Sequence, residues 1–245
     1  MTGAGAVFKR EFSGYFATPV ALVFIVIFLL TAGVFTFELG GFYDRYQQAD
    51  LSPFFSWHPW LYLFLIPALA MRLWAEERRT GTVELLLTLP ISPTGAVVGK
   101  YLAAWLFAGL SLALTFPMWW TVNFLGDPDN GAILTAYLGS FLMAGAFLAI
   151  GELLSACTKN QVIAFILTVV VCLVLLLAGL EPVIGFFRDW APPAVTDAIA
   201  GFSFLTRFEG VSRGVVEARD LFFFGSIIGA CLLMTVWVVQ ARKAE

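Results

Sequence analysis

Few side chains in this 245-residue sequence could carry chemistry, and they stand far apart. His58 is its one histidine, and without thiols nearby it does not complete a usual zinc site. Nucleophilic catalysis needs a base beside the nucleophile, but neither a GxSxG nor an HExxH pattern occurs. We therefore expect no catalytic residue and no metal site, and an intramembrane enzyme is disfavoured.

One stretch imitates a nucleotide site. Gly95 to Lys100 (GAVVGK) resembles a phosphate-binding loop, but its spacing is one residue short. Tyr101 also stands where a magnesium-binding hydroxyl is needed. With no Walker motif in the sequence, we expect this chain to bind no cofactor itself, ATP included.

Composition places the chain in a lipid bilayer. It is 60% hydrophobic and 13% charged, whereas soluble domains are about 25% charged. A membrane-spanning helix needs about 20 mostly apolar residues. The stretches that meet this requirement lie roughly at 18–38, 57–75, 97–125, 132–155, 161–180 and 219–241. The sequence predicts an all-α polytopic protein with six spans in a single transmembrane domain, 1–245.

The distribution of basic residues predicts the orientation. A cytoplasmic N-terminus places nine of the fourteen Lys and Arg residues inside, and six spans return the C-terminus to the same side. These nine are Lys9, Arg10, Arg72, Arg78, Arg79, Lys100, Lys159, Arg242 and Lys243. A cleavable signal peptide is the rival interpretation, but the first apolar run is longer than a signal peptide's and no small-x-small site closes it.

Two further segments flank the spans. Residues 4–17 mix aromatic and aliphatic side chains with Lys9, Arg10 and Glu11, which is typical of a helix lying in the inner headgroup layer. Residues 181–218 are interrupted by prolines and then regain helical spacing of apolar residues. We expect short outer helices there, forming a lid or partly re-entrant helices.

Isolated polar residues within or beside the spans allow more than one interpretation. Glu152 is the one carboxylate expected at membrane depth, where it is either functional or paired with Lys159 at the interface. Lys100 can extend its ammonium to the headgroups, and His58 is interpreted as an interfacial side chain.

The three cysteines and the small residues of the fourth span predict packing rather than chemistry. Cys157, Cys172 and Cys231 have no framework spacing, so we expect free thiols packed as small apolar groups. The fourth span repeats Gly, Ala and Ser, for example at Gly139 and Gly151, which favours close approach of another helix.

The longest polar interruption between spans is 76–93. Thr82 can cap a short amphipathic helix whose first turn carries Glu84, and Pro90 ends it. Ser92 and Pro93 then form the N-cap and first position of the next helix. The apolar face of the short helix consists of Val83, Leu86 and Leu87.

This stretch carries a resemblance. Glu77-x-x-x-Gly81-Thr82-x-Glu84-x-Leu86 to Pro90 resembles the cytoplasmic loop of ABC-2 type permeases, the membrane subunits of ATP-driven exporters. The stretch from Ser155 to Phe165 resembles the second inner loop of that family. Phe208 with Gly214 to Asp220 resembles the gliding-motility-associated and nitrous-oxide-reductase-maturation branch.

The resemblance implies a coupling helix at about 82–89 that docks on a separate cytoplasmic ATPase. The implied coupling residues are Glu77, Gly81, Thr82, Val83, Glu84, Leu86, Leu87 and Pro90. Those of the second inner loop are Ser155, Thr158, Lys159, Asn160 and Gln161.

The implied partners are two ABC ATPase subunits that carry ATP and magnesium, and a second copy of this chain or a related permease. The pathway would lie in that dimer, in a bacterial inner membrane with both termini cytoplasmic. No nucleic-acid partner is expected. The branch resemblance adds an alternative, in which the chain transmits mechanical work to a periplasmic or membrane-anchored accessory protein.

An ion-coupled secondary transporter is a further alternative. It would need several charges at the midplane or matched broken helices in two halves, and neither is evident. The apolar side chains of the spans favour an apolar or amphipathic cargo. This indication is weak because lipid-facing helices use the same residues whatever the cargo.

Overall fold

The chain is helical wherever its regular structure is described. The computed structural model describes residues 3–42, 50–83, 91–188, 191–215 and 217–241. The helices are α1 (Gly3–Phe16), α2 (Pro19–Val34), α3 (Ser52–Ser56), α4 (His58–Ala70), α5 (Ala75–Thr80), α6 (Pro93–Ala113), α7 (Phe116–Leu125), α8 (Asn130–Cys157), α9 (Gln161–Leu177), α10 (Glu181–Arg188), α11 (Pro193–Gly201), α12 (Phe204–Ser212) and α13 (Ala218–Ala241). A π-helical turn, Phe35–Leu39, extends α2.

Several of these helices are long and apolar enough to cross a membrane. In the described part of the chain, the segments Pro19–Leu39, Pro93–Leu125, Asn130–Cys157 and Ala218–Ala241 meet this test. A fifth span results if α9 and α10, which are bent by 74° at their junction, count as one. The chain is therefore a multi-pass helical membrane protein.

The predicted second span, 57–75, differs from the helix observed there. α4 has 13 residues, and at about 1.5 Å per residue it covers about 20 Å of a hydrocarbon layer of about 30 Å. It begins with Pro59 in its first turn and ends before the turn residues 71–74. Most of its side chains are buried, so α4 is an interior helix flanked by the short helices α3 and α5.

The bundle is organised around α8. This helix packs against α4, α6, α9, α12 and α13, and Gly139, Gly145 and Gly151 lie at contacts with these neighbours. A Cβ at Gly139 would lie 2.6 Å from Val211 of α12, and one at Gly145 would lie 2.7 Å from Trp105 of α6. Glycine is needed at these contacts because a larger side chain would push the helices apart.

The outer segment is divided between two environments. α10 buries none of its side chains, and α11 buries only Thr196. In α12, by contrast, Phe204 and Phe208 are fully buried against the bundle, and the helix packs against α8 and α9. α12 is thus an integral part of the core rather than a lid.

The N-terminal helix packs on the start of the third predicted span. A Cβ at Gly99 in α6 would lie 2.8 Å from the backbone oxygen of Ala4, so α1 and α6 are in close backbone contact. Val7 and Tyr15 are buried in this contact, while Lys9 is exposed. α1 therefore occupies a fixed position beside α6.

The close contact between α4 and α8 predicts that one added methyl group at Gly151 destabilises the fold. A Cβ at Gly151 would lie 2.5 Å from the Cβ of Ala70, so Gly151→Ala should cost about 1–3 kcal/mol by overpacking. The check is thermal unfolding in detergent, with Gly229→Ala in α13 as the control, because its Cβ would meet nothing within 4 Å. Equal unfolding temperatures for the two variants would contradict this packing.

Candidate functional site

The first backbone groups of α5 are held by the end of α8. Ser155 Oγ accepts hydrogen bonds from the backbone N–H groups of Trp74 and Ala75 at 3.1 and 3.0 Å. The same hydroxyl donates to the backbone oxygen of Met71 at 2.9 Å. Helix N-termini leave N–H groups without intrahelical partners, and here a serine from the second predicted inner loop satisfies two of them.

Charged and polar side chains of α5 complete this contact, which we call the inner junction: α5 with residues 155–161. Arg78 Nη1 donates to the backbone oxygen of Ala156 at 2.5 Å. Gln161, the first residue of α9, donates from Nε2 to the carboxylate of Glu76, which also pairs with Arg79 at 2.8 Å. The two segments predicted as inner loops therefore meet in the fold.

Lys100 joins this junction to α1. Its ammonium lies 2.9 Å from Glu77 Oε1 of α5 and 3.2 Å from Glu11 Oε1 of α1, and its side chain is 2% exposed. The ammonium also sits over the ring of Trp74, 5.2 Å from the centroid, where the π face adds attraction. The prediction that Lys100 extends to the headgroups is wrong, because the carboxylates reach it inside the fold.

Arg10 closes the same network from outside. It contacts Glu11 at 2.5 Å and Glu77 at 3.2 Å, and it is half exposed. Burial alone would raise the pKa of the Glu11 carboxyl, but the charges and hydrogen bonds of Lys100 and Arg10 outweigh burial and hold that pKa below its ordinary value. Glu11 is therefore a carboxylate at neutral pH.

Glu152 is linked to α5 rather than to the loop after α8. It is fully buried, and its Oε1 accepts a hydrogen bond from Trp74 Nε1 at 2.9 Å. Its second oxygen has no hydrogen-bond partner in the described part of the chain. Lys159 is exposed and forms no ion pair with any residue that the structure describes, so the interfacial Glu152–Lys159 pair is wrong.

The start of the predicted coupling helix is visible up to Val83. α5 ends at Gly81, whose φ of 73° lies in the left-handed region that glycine favours. Thr82 is exposed, and Val83 is half-buried and packs on the core. Glu84, Leu86, Leu87 and Pro90 lie outside the described residues, as does the predicted helix from residue 84 onward.

The chain re-enters described structure just before α6. Ser92 Oγ accepts from the backbone N–H of Gly95 at 3.1 Å, and Pro93 occupies the first turn. The predicted cap at Ser92 and Pro93 is confirmed. The segment between Gly81 and Ser92 is thus bounded by a helix C-cap and a helix N-cap.

The second predicted inner loop divides into parts with different partners. Ser155 and Gln161 face α5, as described above. Thr158 accepts from the backbone N–H of Asn160 at 3.1 Å, and Asn160 Oδ1 caps α9 through the N–H of Val162 at 2.9 Å. Lys159 at the tip is exposed. Cys157 is exposed as well, while Cys172 and Cys231 are buried free thiols.

A buried polar cluster around His58 was missed by sequence analysis. His58 is fully buried, its Nδ1 lies 2.6 Å from Ser140 Oγ, and Tyr62 OH lies 2.9 Å from the same hydroxyl. The prediction of an interfacial His58 is therefore wrong. The spacing of His58 and Tyr62 by one helical turn could have indicated a shared face, but the sequence does not reveal Ser140 as their partner.

These helices and their apolar lengths define the class of the protein: a polytopic helical membrane protein with two loops joined at one end of the bundle. A family model described as ABC-2 family transporter protein matches residues 51–204, more than half of the chain. The chain belongs to the ABC-2 transporter family and is a transmembrane permease of the ABC transporter class. No curated protein matches the chain.

The matched range gives the inner junction its context. It runs from before α3 to the start of α12, so it contains α5, the segment that follows it and the loop at 155–161. Membrane subunits of this family associate with ABC ATPase subunits and dimerise, and they are typically not enzymes themselves. The narrower branch suggested by Phe208 and residues 214–220 receives no support from these comparisons.

The Lys100 network predicts a measurable cost for removing its cation. Lys100→Met should lower the free energy of unfolding by about 2 kcal/mol. This is less than the cost of breaking a fully buried ion pair, because Glu11 and Glu77 still have Arg10 as an ion-pair partner. The check is unfolding in detergent. Adding Glu77→Gln should recover part of the loss, since Glu11 and Glu77 would otherwise share the single cation Arg10.

The control for this prediction is Lys9→Met. Lys9 is an exposed cation on α1, so its replacement should change stability by about 0.5 kcal/mol or less. If Lys100→Met were as stable as Lys9→Met, the ion pairs of Lys100 would not hold α1 and α5 in place.

Proposed function

We propose that this chain is the membrane subunit of an ATP-driven exporter. Two permease subunits, either two copies of this chain or this chain with a related one, form the pathway. Two cytoplasmic ATPase subunits supply the energy, and ATP and magnesium bind there. The observation that carries the proposal is the inner junction, because it ties the segment resembling a coupling loop to several spans at once.

The route of force follows from the contacts of α5. Ser155 and Ala156 connect α5 to the end of α8, and Gln161 connects it to the start of α9. Lys100 connects it to α6. A displacement of the 84–90 segment, which lies between α5 and α6 in the sequence, would then move the inner ends of α6, α8 and α9 together.

The surface that docks on the ATPase is proposed from the sequence pattern of 82–89. Val83, Leu86 and Leu87 form the apolar face, which would fill a groove on the ATPase as amphipathic helices do generally. Glu84 and Thr88 are four residues apart and would make polar contacts beside it. The docking element would thus stand between the cap at Gly81 and the cap at Ser92.

The proposed topology places the inner junction in the cytoplasm of a bacterial inner membrane. This is supported by the position of α1, whose Arg10 and Glu11 contact the same network as α5, so the N-terminal helix and both loops share one end of the bundle. With α4 and its flanking turns as the second crossing and α9 as the fifth, both termini lie in the cytoplasm.

A second candidate is transmission of mechanical work to a periplasmic or membrane-anchored partner. The observation in its favour is that α12 is fixed to the bundle: Arg207 pairs with Asp220 of α13 at 3.1 Å, and Phe204 and Phe208 are buried. A cavity of about 670 Å³ lies at the opposite end of α8 from the junction, lined in part by Asp127 and Arg213. Solute transport without any such partner would favour export.

The test of coupling uses two substitutions in the segment outside the described residues. Glu84→Lys reverses a charge and Leu86→Asp places a charge on the apolar face, so each should reduce recovery of the ATPase in co-purification by about tenfold or more. Asp127→Lys, at the other end of the bundle, is the matched control and should retain the ATPase. Retained assembly and transport in both coupling variants would contradict the proposal.

A further inference from the structure

A charged cavity lies between α1, the end of α4 and α5. Its volume is about 310 Å³, within the range of about 300–1,000 Å³ typical of small-molecule sites. The charged and polar residues that line it are Glu11, Tyr15, Arg72, Glu76, Glu77 and Lys100. It therefore presents cations and carboxylates to the same space.

Two polar groups at this cavity lack partners. Arg72 is half-buried and forms no hydrogen bond or ion pair with any residue in the described ranges. Glu77 uses Oε1 for Lys100 and Arg10, while its buried Oε2 has no hydrogen-bond donor in the same part of the chain. Leaving the buried Glu77 oxygen unsatisfied costs free energy, so a ligand that donates to it and also pairs with Arg72 would be stabilised.

An apolar groove begins where the charged cavity ends. It has a volume of about 430 Å³ and runs along the first turns of α2. Its lining consists of Phe16, Thr18, Ala21, Leu22, Ile25 and Val26. Thr18 lines both spaces, so the charged cavity and the apolar groove are neighbours at the junction of α1 and α2.

We propose that the cavity and the groove together bind one phospholipid with a primary-amine zwitterionic headgroup, of the phosphatidylethanolamine type. The phosphate pairs with Arg72, the ammonium donates to Glu77 Oε2, and an acyl chain lies against Leu22 and Ile25. This lipid is a resident of the fold and not its cargo, and its binding requires only that the protein is in a membrane.

The charge pattern selects this headgroup over the common alternatives. An anionic glycerol headgroup would satisfy Arg72 but would offer Glu77 Oε2 only neutral hydroxyl donors and no cation. A choline headgroup has the same charges as an ethanolamine one, but its quaternary nitrogen carries no N–H to donate. Of these three headgroups, only the ethanolamine one combines a phosphate acceptor with a charge-assisted hydrogen-bond donor.

A bound lipid would bridge three neighbouring elements. It would contact α1, the start of α2 and the turn before α5, which precedes the segment proposed to dock on the ATPase. Loss of the lipid is therefore expected to loosen α1 against α5, where Lys100 and Arg10 already bridge them.

The test is native mass spectrometry of the purified full chain in detergent, titrated with ethanolamine, choline and glycerol phospholipids of identical acyl chains. The wild type should retain one ethanolamine lipid about tenfold more tightly than the other two, the factor expected for one charge-assisted hydrogen bond. Arg72→Gln should lose about that factor, whereas Lys9→Gln, an exposed cation outside the cavity, should not.

A second pair of variants tests the groove without disturbing the core. Leu22 and Leu30 are both exposed on α2, at 68% and 63%, but only Leu22 lines the groove. Leu22→Trp should weaken lipid retention and Leu30→Trp should not. Equal retention of the three lipids, preference for the glycerol headgroup, or unchanged binding in Arg72→Gln and Leu22→Trp would overturn the proposal. Because no ATPase is present, this outcome is independent of the coupling test.

Discussion

A buried ammonium constrains the cytoplasmic end proposed for this bundle. The charge of Lys100 lies almost out of solvent on α6, and removing a charge from water is costly unless opposite charges reach it. Those charges come from Glu11 on α1 and Glu77 on α5. The pairing therefore restricts where α1 and the six-residue helix α5 can lie, and it adds to the close packing of α1 on α6.

The same dependence applies to the hydrogen bonds of α5. Isolated helices of six residues are unstable in water, because ordering the backbone of the first turn costs more free energy than the few hydrogen bonds of so short a helix contribute. α5 persists because Ser155 satisfies its first N–H groups, Arg78 bonds Ala156, and Trp74 is fixed by Glu152. Polar contacts between sequence-distant residues thus hold α5 against the end of α8.

Sequence reasoning succeeded where structure is local or compositional. Hydropathy indicated the long spans, and the cap at Ser92 and Pro93 follows from chemistry within four residues. The glycines of α8 indicated close packing, although not which helix approaches each. The family could be inferred because its two inner loops carry short patterns of their own, and the match over 51–204 supports it.

The failures concern partners that are distant in sequence. Lys100 meets Glu11 across 89 positions, and His58 meets Ser140 across 82, so nothing near either residue indicates that it is buried. The second span was expected to be longer than α4, because the hydropathy of the sequence does not indicate that the helix ends at Ala70 and a turn follows at residues 71–74. Glu152 is buried in the fold, but its partner proved to be the indole of Trp74 rather than Lys159.

The central claim is that α5 and the loop at 155–161 move as one body when the ATPase acts. The most direct measurement is the distance between spin labels at Thr80→Cys and Asn160→Cys, in a Cys157→Ser background, within the complex of permease and ATPase. The account predicts that the distance distribution between the labels at Thr80→Cys and Asn160→Cys is the same without nucleotide and with ATP trapped. The distance between labels at Thr80→Cys and Thr31→Cys should change between the same two states. A changed distance within the inner junction would contradict it.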